Sequence, residues 1–169
     1  MMLKTTFIIG FVGLLVAACS SSSTDSGSTE MAAADAKSQA LVVVPGTASE
    51  PVKLDEGDEH RWVVSVKVSN GATVDVEFTR ATKVLEEIKD EKGPFTYDLP
   101  APKSGLMTFT QAKAKALASK AGTVEVWEVK PPSNLYEFYV RDADTKLWEI
   151  KMTADKGDIS SVVQKDKPD

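Results

Sequence analysis

The chain has 169 residues, with 20 Lys and Arg against 25 Asp and Glu, a formal net charge of −5, one cysteine and one histidine. Without a basic stripe it is a poor partner for nucleic acid, whose binding draws on Lys and Arg neutralising phosphates. A single thiol leaves no intramolecular disulfide, and one His with one Cys is too few for a zinc site of the usual kind.

In chain order, Lys4 precedes an apolar run from Phe7 to Ala18, and Leu15, Val16, Ala17 and Ala18 lead directly to Cys19. The run is shorter than the ~20 residues of a membrane-spanning helix and fits a secretory signal. Residues 1–18 resemble a bacterial lipoprotein signal peptide with Val16, Ala17, Ala18 and Cys19 as its lipobox. The resemblance implies cleavage before Cys19, a diacylglyceryl group on its sulfur and a further acyl chain on the new amine. Two or more chains anchor stably where one does not, so the membrane is an expected partner through Cys19. Ser20, where an Asp would signal retention, implies the periplasmic face of the outer membrane in a two-membrane bacterium. In a single-membrane host it would be the outer face of the cell membrane. Residues 19–30 are rich in Ser, Thr and Gly and read as a flexible tether.

From Met31 the composition turns globular. Ala-rich Met31 to Val44, ended by Pro45 and Gly46, reads as a first helix, although Val42, Val43 and Val44 could open a strand. Arg61 to Val68 places Trp62, Val64, Val66 and Val68 on one face, and Ala72 to Thr79 does the same with Val74, Val76 and Phe78. Asn70 and Gly71 between them are a strong hairpin signal. Ala81, Val84, Leu85 and Ile88 have helical spacing, but a strand suits the repeat described below. Thr108 to Ala121 predicts a second helix, capped by Thr108 or Thr110 and ended by Gly122. Strands follow over Thr123 to Lys130, Leu135 to Arg141 and Leu147 to Thr153, with a turn at Asp142, Ala143 and Asp144.

A shift of 74 residues carries Trp62, Val64 and Val66 onto Tyr136, Phe138 and Val140, and Val74, Val76 and Phe78 onto Trp148, Ile150 and Met152. Almost no identities accompany the match, so its content is the shared placement of apolar positions and turns. A tandem duplication is the natural reading.

The second half also resembles the PepSY domain family. The residues that carry the likeness are Thr110, Gln111 and Ala112, then Ala116, Leu117, Ala121 and Gly122, then the strands Val124 to Val129 and Tyr136 to Val140 with the Asp142 to Thr145 turn. Residues 106–169 are therefore expected to be a PepSY-like repeat and residues 31–105 a degenerate second copy. The expected fold is α+β, two tandem copies of a helix packed on a small antiparallel sheet, with an interface between the copies that stabilises both. PepSY domains occur in the propeptides of thermolysin-type metalloproteases, where they help hold the protease inactive. The resemblance implies a protein- or peptide-binding envelope module that restrains a peptidase; the alternative is a structural or assembly accessory of an envelope complex without an inhibitory role.

No catalytic, cofactor-binding or metal-ligating residue is expected, no small-molecule substrate is identified, and the chain reads as a non-enzyme. His60 follows the polar run Asp55 to Glu59 and reads as a solvated loop residue. A calcium loop counted from Asp142 would need Gly and Glu where Leu147 and Thr153 stand. Trp127 and Tyr139 lie out of phase with their most apolar neighbours. They are candidate partner contacts if exposed, or fillers of the gap between two packed copies.

Overall fold

Small residues set how closely the two helices sit on the sheet. In the computed structural model, which describes residues 30–168, α1 (Ala33–Val43) buries Ala36 and Ala40, and α2 (Phe109–Ser119) buries Ala112 and Ala116 with Phe109. Thr108 caps α2 in a full capping box: its Oγ1 accepts the Gln111 N–H at 3.3 Å, and Gln111 Oε1 accepts the Thr108 N–H at 3.0 Å. Ala32 holds the same place on α1 without a side-chain bond.

Among the described residues, nine strands form one antiparallel sheet: β1 (Thr47–Ala48), β2 (Val52–Glu56), β3 (Glu59–Lys67), β4 (Thr73–Thr79), β5 (Leu85–Asp90), β6 (Thr123–Lys130), β7 (Leu135–Arg141), β8 (Leu147–Thr153) and β9 (Ile159–Lys165). The order is β1, β3, β4, β5, β6, β7, β8, β9, with β2 also on β3. The fold is α+β, of the helix-on-antiparallel-sheet kind expected. The contested 81–90 segment contributes strand β5.

The interface between the halves is a strand pairing within a single continuous sheet. β5 and β6 meet through Ile88 opposite Val129, Lys89 opposite Glu128 and Asp90 opposite Trp127.

Backbone geometry recurs between the halves. Trp62 faces Phe78 as Tyr136 faces Met152, and Val76 faces Ile88 as Ile150 faces Val162. Both ladders carry a bulge at the same place, between Glu77 and Phe78 and between Lys151 and Met152. The Trp62 indole donates to the Met31 carbonyl at 2.8 Å, and the Tyr136 hydroxyl donates to the Met107 carbonyl at 3.1 Å. Each helix is followed by a glycine against the facing strand: a Cβ at Gly46 would lie 2.4 Å from the Lys67 oxygen, and one at Gly122 would lie 2.2 Å from the Arg141 oxygen. No side chain fits either approach.

The core lies between the helices and one face of the sheet. Phe109 packs on Trp127 with ring centroids 4.5 Å apart and on Tyr97 at 5.1 Å, and Tyr136 stacks on Phe138 at 5.8 Å. Tyr97, Leu99 and Met107 belong to the connection from β5 to α2 and are buried in this core, which that connection therefore helps to close.

Candidate functional site

Strand β9 ends the sheet, and among the described residues nothing pairs with its outer side. Alternation in Ile159–Lys165 follows from its register on β8. Val162 opposes Ile150 on the helix-covered face, and Val163 opposes Glu149 on the other. Ile159, Val162 and Val163 are 41%, 39% and 47% exposed. A row of open N–H and C=O groups beside apolar side chains is a template for an added strand. At the opposite edge, Pro51 interrupts β1 and β2, and Val52 is 65% exposed. Proline on an edge withholds an N–H from a would-be partner.

The face away from the helices is a lattice of charge. Arg61 Nη1 meets Glu77 Oε2 at 3.0 Å and Lys89 Nζ meets Glu77 Oε1 at 3.3 Å. Lys151 bridges Glu137 at 3.0 Å and Glu149 at 3.4 Å, and Lys165 also reaches Glu149. Glu77, Glu87, Glu137 and Glu149 are all buried, covered by the long stems of their neighbours. Glu87 stands directly opposite Glu77. Burial, then the like charges of Glu128 and Glu77, push its carboxyl up to about 7 against the opposing pull of Lys89. The Lys89 and Lys151 ammonium groups are desolvated, yet the carboxylates around them hold both above their ordinary value.

On the covered face the Trp127 indole donates to Tyr97 Oη at 2.8 Å, and the Tyr97 hydroxyl donates to Asp90 Oδ2 at 2.7 Å. Asp90 Oδ1 accepts the Lys92 and Gly93 N–H groups, each at 2.8 Å. This buried carboxylate is fully bonded and fixes the turn out of β5. Burial raises the Tyr97 hydroxyl well above the usual tyrosine range. A shallow groove of about 370 Å³ lies where the halves meet, lined by Val84, Leu85, Pro102, Lys103, Pro131 and Pro132.

Trp127 and Tyr139 are 1% and 2% exposed, which corrects their placing as candidate partner contacts, the alternative that required exposure, and agrees with burial. Trp127 sits in the aromatic core. Tyr139 lies under the charge lattice, its hydroxyl 2.6 Å from Glu137 Oε1 and 3.1 Å from Glu149 Oε1. His60 lies on β3, half exposed, with Nδ1 2.8 Å from Asp55 Oδ1. Among the described residues no group of His, Cys, Asp and Glu is arranged to hold a metal ion. Cys19 and the signal segment lie outside the described residues, among which no helix is long and apolar enough to cross a membrane. From sequence, Asp155 to Val163 reads as a turn and a short strand, the counterpart of residues 81–90, and β9 lies there; that its outer side stays open is not legible in the pattern, where Val162 and Val163 are the available signal.

The described residues thus form helices over antiparallel strands, with exposed apolar side chains along β9 and a charged outer face. Residues 106–163, from just before α2 into β9, match the PepSY family, described as peptidase propeptide and YPEB domain. No curated protein matches the chain. A solved structure from Clostridium difficile 630, CD1622, provisionally classed as a lipoprotein, is similar at 22% identity over 68% of this chain and 80% of that one, with a TM-score of 0.35.

Proposed function

We propose that this chain is a lipid-anchored envelope protein whose two halves are tandem PepSY-like units, and that it binds and restrains a peptidase. The observation that carries the reading is the PepSY match over 106–163 in a half whose last strand, β9, has an open apolar edge. A propeptide-like sheet module restrains an enzyme by adding an edge strand at its cleft, with main-chain hydrogen bonds supplying affinity. The sequence around Cys19 supports the anchor, and the repeated register of the two ladders supports the duplication. No catalytic role is assigned to any residue.

Two measurements test the reading. In membranes fractionated from cells, the wild-type chain is expected with the lipid fraction and Cys19→Ser in the soluble one; equal partition of both would remove the anchor. Deleting the chain is expected to raise envelope proteolysis, and unchanged proteolysis would reject the inhibitory role. The second reading, an assembly accessory, is favoured by two sheet edges that are open among the described residues. It predicts instead that deletion changes the abundance of an envelope complex.

A further inference from the structure

The geometry points to a specific occupant for the β9 edge: we infer that it pairs with the β1–β2 edge of a second copy of this chain, in the register that joins β5 to β6 within one copy. This rests on β9 being a docking edge, though not on a peptidase being what docks.

Inside the molecule, the last strand of the first half meets the first strand of the second. The described residues carry each partner of that joint a second time, and among them no further strand pairs with its outer side. β9 is the counterpart of β5, since Val162 faces Ile150 as Ile88 faces Val76. The interrupted β1–β2 edge is the counterpart of β6, since Val52 faces Val63 as Glu128 faces Glu137, and Lys53 faces Trp62 as Val129 faces Tyr136.

The pairs of the internal joint then translate directly. Ile88 opposite Val129 becomes Val162 opposite Lys53, Lys89 opposite Glu128 becomes Val163 opposite Val52, and Asp90 opposite Trp127 becomes Gln164 opposite Pro51. Where the internal joint has a complementary charge pair, the outer edges present two exposed valines, 47% and 65% exposed. No like charges oppose each other, and Pro51, at the end of the joint, removes at most one ladder hydrogen bond. The contact is heterologous, so it extends chains head to tail unless the rotation closes a ring. Only a terminal copy then keeps β9 open, which makes access to that edge depend on the local density of the protein.

Within one chain, the connection from β5 to β6 supplies a high effective concentration for this short joint. Between chains the association is therefore expected to be weak and to be captured by crosslinking. The test uses two full-length chains carrying Cys19→Ser, one with Val52→Cys and one with Val163→Cys, tagged to differ in mass and oxidised at high concentration in detergent micelles. The expected result is a disulfide-linked dimer in the mixture, at least ten-fold above either variant alone. Val163→Cys crosslinking with itself would overturn the inference in favour of a β9-to-β9 dimer. No crosslink in the mixture, with both variants unfolding at the wild-type temperature, would overturn it outright. As a second measurement, Val163→Lys should reduce the concentration-dependent sedimentation of the otherwise unmodified chain, and an unchanged profile counts against the proposal. Either failure leaves the deletion test of peptidase restraint untouched.

Discussion

Gly46 and Gly122 are where one atom decides the most. A Cβ added at either would fall 2.4 or 2.2 Å from a facing carbonyl oxygen, so an added methyl group must push a helix exit away from the sheet. Overpacking of this kind costs about 1–3 kcal/mol. Gly122→Ala is therefore expected to lower the unfolding free energy by that amount, read as a lower denaturant midpoint with an unchanged slope; a wild-type midpoint would show that the helix exit is loose. Glu87 acts through charge. Its folded carboxyl titrates at about 7, above its ordinary 4.5, so between those values the folded state binds more protons than the unfolded one. Stability from this group is full below about 4.5 and is lost as pH rises through about 7. Glu87→Gln should flatten the fall in stability over that window and make the protein more stable than wild type at pH 8; an unchanged pH profile would contradict the burial of Glu87 and its crowding by Glu128 and Glu77. Asp142 lies on the other side of this balance. Desolvation alone would raise it, but bonds from the Trp148 indole, the Lys146 N–H and the Lys120 ammonium hold it down at about 2.

Among the elements, α2 is locally encoded and α1 is not. Thr108 and Gln111 close both ends of a capping box, whereas Ala32 offers nothing. Thr108→Ala is expected to cost about 1 kcal/mol of global stability, measured by thermal or denaturant unfolding. A loss below a few tenths would mean that packing of Phe109 and the buried alanines alone sets where the helix begins. The contrast also explains what was legible in the sequence. The β3–β4 hairpin followed from Asn70, Gly71 and uninterrupted alternation, and β6, β7 and β8 have the predicted bounds. Strands β1 and β2 were hidden, because Ser49 to Pro51 break one strand into pieces too short to show a period. Trp127 was misplaced for a different reason. The ladder shifts between Val124 and Val126, and that extra residue turns Trp127 and Val129, rather than Val126, toward the helices. Tyr139 does point away from the helices, as its phase implied, but salt-bridged carboxylates and lysine stems cover that face. Composition reports charge there, and charge alone does not distinguish an open surface from a closed lattice.

At the scale of the whole molecule, one sheet does the work expected of an interface between two small domains. A half of this size buries too little apolar surface to be robust alone, and the β5–β6 pairing gives each half an additional neighbour. The same pairing leaves two edges at the outside of the molecule, one interrupted by Pro51 and one, β9, lined by Ile159, Val162 and Val163. In the proposed function, β9 is the edge through which the half matched by the PepSY family engages another protein. The direct test is envelope proteolysis in cells lacking the chain, complemented with either the wild type or Val163→Lys at equal protein level. A lysine on an exposed edge disfavours strand addition while leaving the fold intact. Proteolysis that rises on deletion, returns to normal with the wild type and stays high with Val163→Lys is the predicted result. Full restoration by Val163→Lys, or proteolysis indifferent to the deletion, would contradict it.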